Sequence, residues 1–305
     1  MKLYYQGVDI ADRVDVAQCV HYDTVYDRCD CLEITLEHAA SWYAWRPRVD
    51  DEIEVALDGY RTGKLYLNTI LPQDGRYRIL ATSLPRAARR RIWRSYEGIR
   101  LRELIAACAA ECGMQAALYG MDDTIRYPYL LRRWESAAAF LSRILSWEGT
   151  AFKAVSGRFA GISIADAQKK AAVQSLELSA DQPGVTHIRR FDQRFAGLTL
   201  MTPYARCTAW DDAASGGNYI TRADIPATDD VQAGRWARGL LLAQNRGAES
   251  LTIAQEFNPS MTAMMRVDIA SRTEMAGKWI ADTVEHDLIN GKTTTTLYRC
   301  IETIR

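Results

Sequence analysis

Cys19-Val-His21 and Cys29-Asp-Cys31 put potential metal ligands at i and i+2 near the start of the chain, with His38 close behind. On a strand, residues i and i+2 share a face, so each pair could offer two donors to a tetrahedral ion. The tight Cys-x-x-Cys turn of a zinc ribbon is absent, and cysteine often serves as a small buried hydrophobe. Cys108 and Cys112 fall on one helical face with Leu104 and Ile105 and read as core. The expectation is no metal site and no cofactor.

His187, His286 and the surrounding acids could be assembled into a hydrolase triad only on paper. No G-x-S-x-G elbow and no H-E-x-x-H helix is present. Asp282, Glu285 and Asp287 lie near His286, but strand alternation sends adjacent side chains to opposite faces. His286 is expected to be a sheet residue that closes a hydrogen bond near a hairpin. Gly216-Gly217 lacks the Lys-Ser/Thr of a phosphate-binding loop. No catalytic residue is expected.

Two stretches suit contact with another macromolecule. R-A-A-R-R-R-I-W-R, from Arg86 to Arg94, has five arginines and one tryptophan. It could grip phosphates, pair with carboxylates of an adjoining subunit, or simply be a solvated linker. S-W-Y-A-W-R holds Trp42, Tyr43 and Trp45, an aromatic cluster that is either an interface anchor or a lid on the first β region. Trp42, Trp45, Arg89, Arg90 and Arg91 are the candidate interface residues.

The elements that must position these residues follow from pattern. D-E-I-E-V-A-L alternates polar with apolar, and Asp58-Gly59 and Asp74-Gly75 favour type I′ turns. They give a three-stranded meander, which strands near Val16–His21 and Cys31–Glu37 could close into a barrel. Two helices follow. In the first, Leu101, Leu104, Ile105, Cys108 and Cys112 face inward and Gly113 supplies a left-handed C-cap. In the second, Ser136 is the N-cap, Phe140, Leu141, Ile144 and Leu145 are buried, and Gly149 stops the helix. A hairpin then turns at Ser156-Gly157. Strands return at Ser175–Ser179, Phe195–Trp210, Ser250–Ile253 and Ala263–Ala270, with a helix over 231–246. A terminal hairpin is expected at Asn290-Gly291, with positive φ at both residues. Asp211–Asp230 reads as a mobile loop. The fold class is mainly β with an α/β insert (α+β): two small β-barrel units, 1–85 and 166–305, separated by a helix-helix-hairpin module, 86–165.

The chain has 305 residues and 38 charges of each sign, so it has no general attraction for nucleic acid or anionic lipid. The charge is uneven. Residues 1–85 carry 14 acids against 9 bases, and residues 86–155 carry 7 acids against 12 bases. Neighbouring segments of opposite sign suit contact with each other or between copies. Seven cysteines without scaffold spacing, no signal-peptide core and no spanning apolar run predict a protein made in a reducing cytoplasm.

The order helix, gap, E-S-x-x-x-F-L-x-R-I helix, hairpin resembles the late-control D family of tailed phages, the baseplate hub proteins of contractile tails. The resemblance continues through V-Q-A-G-R-W-A-R-G-L-L-L-A-Q-N-R and W-I-A-D-T-V-E-H-D-L-I-N-G-K-T-T-T-T-L-Y. It covers most of the chain through the order of its motifs, none of which is a strict signature. It implies a structural, non-enzymatic late protein whose first barrel is tail-tube-like. It further implies a homotrimeric ring that joins the tail tube protein to the central spike protein. Tape-measure and other baseplate proteins would be further partners, and the location would be the virion tail of a phage, prophage or tail-like particle. A lytic domain is not expected, because the chain ends soon after the second barrel. Two alternatives stand beside this reading. One is a cell-wall hydrolase acting during tail penetration, which would need a carboxylate pair or metal in a cleft. The other is a nucleic-acid-binding module using Arg86–Arg94.

Overall fold

Three of the expected turns form as their residues dictate. Asp58-Gly59, Asp74-Gly75 and Ser156-Gly157 all have positive φ at both positions, between 47° and 85°. Each joins directly paired strands: Leu57 to Tyr60, Gln73 to Arg76, and Val155 to Arg158. The computed structural model describes residues 1–39, 46–179, 181–214 and 216–305.

The strands of the first and last parts of the chain share one sheet of 14 strands. Its first half runs Val8–Asp9, Lys2–Tyr5, Glu52–Leu57, Leu65–Gln73, Arg76–Thr82, Cys31–Leu36, Val16–Thr24. The second half continues through Gly277–Asp287, Lys292–Arg299, Glu249–Glu256 and Val185–Arg189. Two expected barrels are therefore not formed as separate closed units among the described residues. The reason lies in strand Val16–Thr24. One of its edges pairs with Cys31–Leu36 and the other with Gly277–Asp287, so the edge that closure would need is already taken. This junction sets His21 directly opposite His286. The two ends keep separate apolar cores, one around Leu32, Ile34, Ile53 and Ile79 and another around Leu251, Trp279 and Leu297.

The middle of the chain builds its own layers. Helix Leu101–Ala110 and helix Ala137–Trp147 appear where the apolar spacing predicts. Glu103 accepts the Arg100 N–H at 3.0 Å, and Ser136 Oγ accepts the Ala139 N–H at 3.2 Å, so both helix starts are capped. Gly113 and Gly149 adopt the left-handed conformation at φ 68° and 64°. Phe140, Leu141, Ile144 and Leu145 are fully buried, each stabilising the fold by about 1.5–3 kcal/mol relative to exposure. The helices cover a sheet of Gln115–Tyr119, Arg158–Ser163 and Thr150–Val155, and a ribbon of Ile92–Arg100 with Arg126–Glu135.

The core of this region extends into residues from later in the chain. Helix Asp230–Asn245 buries Ala233, Trp236, Ala237 and Leu241 in it, and its start is capped by Asp229 accepting the Gln232 N–H at 2.8 Å. The helix carries a sheet of Arg206–Trp210, Phe195–Met201 and Asn218–Arg222. Two expectations change here. Phe195–Trp210 is two strands rather than one. Asp211–Asp230 is not wholly loop, because Asn218–Arg222 pairs in parallel with Phe195–Met201 and buries part of Ile220. The last hairpin differs as well. Asp287 pairs with Lys292 across a four-residue loop in which Gly291 alone, and not Asn290, has positive φ.

Candidate interaction surfaces and the buried junction

The residues considered for chemistry are each engaged elsewhere. Cys19 is fully buried and its thiol is pushed up to about 12, first by burial and then by Asp287. His21 Nδ1 bonds Tyr60 Oη at 2.6 Å, and burial holds the imidazole neutral by lowering its pKa to about 3. Cys29 and Cys31 flank Asp30 beside Arg89, and burial raises both thiols. His38 is exposed and lies 3.3 Å from Asp15. Among the described residues no three His, Cys, Asp or Glu side chains are grouped as a metal ion would require.

His286 is buried between a carbonyl and a hydroxyl. Its Nε2 donates to the Met261 carbonyl at 3.0 Å, which leaves Nδ1 to accept from the Thr293 hydroxyl at 3.0 Å. His187 Nε2 bonds Glu249 at 2.9 Å, and Glu249 also takes a two-pronged contact from Arg299 at 2.6 and 2.7 Å. The Thr293 hydroxyl that His286 meets is fully buried, as is His286 itself. Tyr60, carried in by the Asp58-Gly59 turn, packs its ring 4.4 Å from His286 while bonding His21. The histidines thus belong to the junction of the sheet.

The basic run does not stay together. Its first part is a 3-10 turn, Arg86–Arg89, whose Arg86 N–H donates to Asp50 at 2.8 Å. Arg89 donates to Asn68 and Thr82 at 2.8 and 2.7 Å, which fastens the turn to the first β region. Arg94 pairs with Glu111 at 2.5 Å. Arg90 and Arg91 are exposed. Trp42 and Trp45 lie outside the described residues.

Beside Arg90 and Arg91 is a surface that the sequence reading missed. On the ribbon Tyr96, Tyr127, Leu130 and Arg132 are buried, while Trp93, Tyr129 and Trp134 are 64%, 47% and 57% exposed. Register shifts between Arg132 and Glu135, so Trp93 stands opposite the bulged pair Arg133-Trp134. Trp134 has φ 49°, a left-handed conformation that costs a bulky residue about 1–2 kcal/mol. Buried Arg132 holds the bulge in shape. It donates to the Glu135 carbonyl at 2.8 Å, to Glu111 at 2.7 Å and to the Arg90 carbonyl at 3.1 Å. The period-two alternation of Trp93, Ser95 and Glu97 against Ile92, Arg94 and Tyr96 was the available signal. A second aromatic face lies on the sheet over helix Asp230–Asn245. There Trp210 and Tyr219 meet edge-to-face at 5.7 Å above Gly197, whose missing Cβ leaves room for the Trp210 ring.

At the level of sequence, no family model and no curated protein matches the chain. The fold does have solved relatives. A tail protein from Neisseria meningitidis MC58 superposes over 99% of this chain and 97% of its own, with TM-score 0.76 and 12% identity. The 43 kDa tail protein of prophage MuSo2 from Shewanella oneidensis covers 100% and 99%, with TM-score 0.74 and 11% identity. The E. coli c3393 protein covers 99% and 78%, with TM-score 0.61 and 12% identity. That protein is described as a type VI secretion component structurally similar to the T4 tail proteins gp27 and gp5. This chain has the mainly-β fold of phage tail proteins. No helix among the described residues is long and apolar enough to cross a membrane.

Proposed function

We propose that the protein is a structural, non-enzymatic component of a phage-type tail, and within it the baseplate hub. The observation that carries this reading is the end-to-end likeness to tail proteins, which spans nearly the whole of both chains. In this role it belongs to the late-control D group, forms a homotrimeric ring, and connects the tail tube to the central spike at the baseplate. Its units are 1–85, 86–165 and 166–305, with residues 195–245 sharing the core of the middle unit. Arg90 and Arg91, together with Trp93 and Trp134, form the surface we assign to contact with a neighbouring tail protein, with Trp42 and Trp45 as further anchors. Exposed aromatics beside arginines have the composition of interface hot spots.

Light scattering on the purified 34.4 kDa chain should give the mass of a trimer. A stable monomer would count against the ring. Electron microscopy of particles made without the protein should show tubes that lack a spike. Complete particles from that strain would defeat the hub assignment.

A further inference from the structure

Three charged side chains meet where strand Thr150–Val155 of the middle region lies against the first β region. The side chains of Lys153, Asp23 and Asp30 are only 8%, 7% and 2% exposed. Lys153 Nζ touches Asp23 Oδ1 directly and lies 3.2 Å from Asp30 Oδ1 and 3.0 Å from the Thr24 carbonyl. Asp30 also accepts the Thr24 N–H at 2.9 Å, so its carboxyl is held in place beside the amine. No second cation bonds either acid among the described residues. Two acids and one amine in a dry site leave one negative charge too many. Burial accordingly pushes the Asp30 carboxyl up to about 7, with Lys153 opposing the shift and Asp23 adding to it. Burial also works against the Lys153 ammonium, but the two carboxylates outweigh it and hold the group protonated. The cluster therefore has an amine, a carboxylate oxygen in contact with it, and a neighbouring acid able to exchange protons near neutral pH.

We propose that Lys153 and Asp23 condense into an intramolecular isopeptide bond, with Asp30 relaying the protons. Asp30 takes a proton from the Lys153 ammonium, and the freed nitrogen lone pair attacks Cγ of Asp23. The Nζ–Cγ bond forms and one Cγ–O bond breaks. The departing oxygen leaves as water with two protons that began on the ammonium, one proton stays on the amide nitrogen, and Asp30 returns to its starting state. One positive and one negative charge disappear together, so the step needs no oxidant and no cofactor. Amide formation from free acid and amine is unfavourable in water, and two features of this site oppose that. Holding the two reacting groups side by side is worth an effective concentration of up to about 10⁵–10⁸ M. A buried ion pair also carries a desolvation cost that a neutral amide does not. The product would tie two strands 130 residues apart in sequence and lock the middle region to the sheet.

The test is the mass of the full-length chain under denaturing conditions. After allowance for the initiator methionine, the expected mass is one water below that of the sequence. Trypsin should release Val14–Arg28 joined to Ile144–Arg158, uncut after Lys153. Asp23→Asn should form the same link with loss of ammonia instead of water, a different mass change that identifies the carbon attacked. Asp30→Asn should keep the full sequence mass, because the relay is gone. A wild-type chain of full sequence mass, cleaved freely after Lys153, overturns the bond. An Asp30→Asn chain linked as completely as wild type overturns the relay.

Discussion

At one side of the middle region, the turn after helix Ala137–Trp147 meets helix Asp230–Asn245. Glu148 is buried there and accepts from Arg235 at 3.1 Å and from the Trp236 indole N–H at 2.7 Å. Around it the contact is close and apolar. The Trp147 and Trp236 rings lie 4.7 Å apart, and a Cβ on Gly239 would fall 2.1 Å from the Trp147 carbonyl oxygen. At the other side, Lys153 meets Asp23 and Asp30, with one acid in excess. The first seam is balanced in charge and closely packed where Gly239 meets Trp147 and Gly149. The second has an excess of buried negative charge, which protonation of Asp30 relieves. The comparison teaches that two contacts of one small module can be specified by different physics, and they should fail under different substitutions.

The largest effect is expected at the charged seam. Lys153→Met leaves two carboxyls buried without a cation and should cost about 3–5 kcal/mol, read as a lower urea midpoint. A loss below one unit would show that water reaches the site. Gly239→Ala should cost less, about 1–3 kcal/mol, since its Cβ would meet backbone that cannot rotate away. If Gly239→Ala were the worse of the two, volume rather than charge would dominate both seams.

Asp30→Asn sharpens the contrast through pH. The folded-state carboxyl titrates near 7, above its value of about 3.9 in an unfolded chain. The folded state thus binds the extra proton between those values, and the stability contributed by Asp30 falls as pH rises from about 4 to about 7. The amide cannot lose a proton. The variant should therefore lack the fall that wild type shows across that window and run parallel to it above, with a constant offset for the loss of the Lys153–Asp23 bond. His21 has the opposite sign, because its lowered pKa removes stability as pH falls from about 6.5 towards 3, and it cancels in the comparison. Parallel curves from pH 4 to 7 would mean that Asp30 is not the group titrating.

Positions away from both seams should respond weakly. Gly291→Val adds a Cβ into open space, so its cost is backbone strain alone, about 1–2 kcal/mol by melting. Arg90→Glu with Arg91→Glu should leave stability within about 0.5 kcal/mol while weakening assembly. Wild-type assembly by sedimentation at low and high salt would remove this surface from the interface.

Short-range features of this protein were determined by sequence alone. Asp-Gly and Ser-Gly pairs between alternating strands make I′ turns because few other residues tolerate positive φ twice in succession. Helix starts at Arg100 and Ser136 and stops at Gly113 and Gly149 follow from capping groups within a few residues of the ends they serve. Tertiary structure alone decided the rest. Val16–Thr24 chose Gly277–Asp287 as a neighbour instead of closing a barrel, since an edge strand's hydrogen bonds do not specify which distant strand will satisfy them. Asn290 lost its expected positive φ because the register fixed at Asp287 and Lys292 required a longer loop. Lys153 found Asp23 and Asp30 across some 130 and 123 residues. That meeting carries no periodicity or motif in the chain, because burial of the surrounding apolar residues, and not the charges themselves, brings the three together.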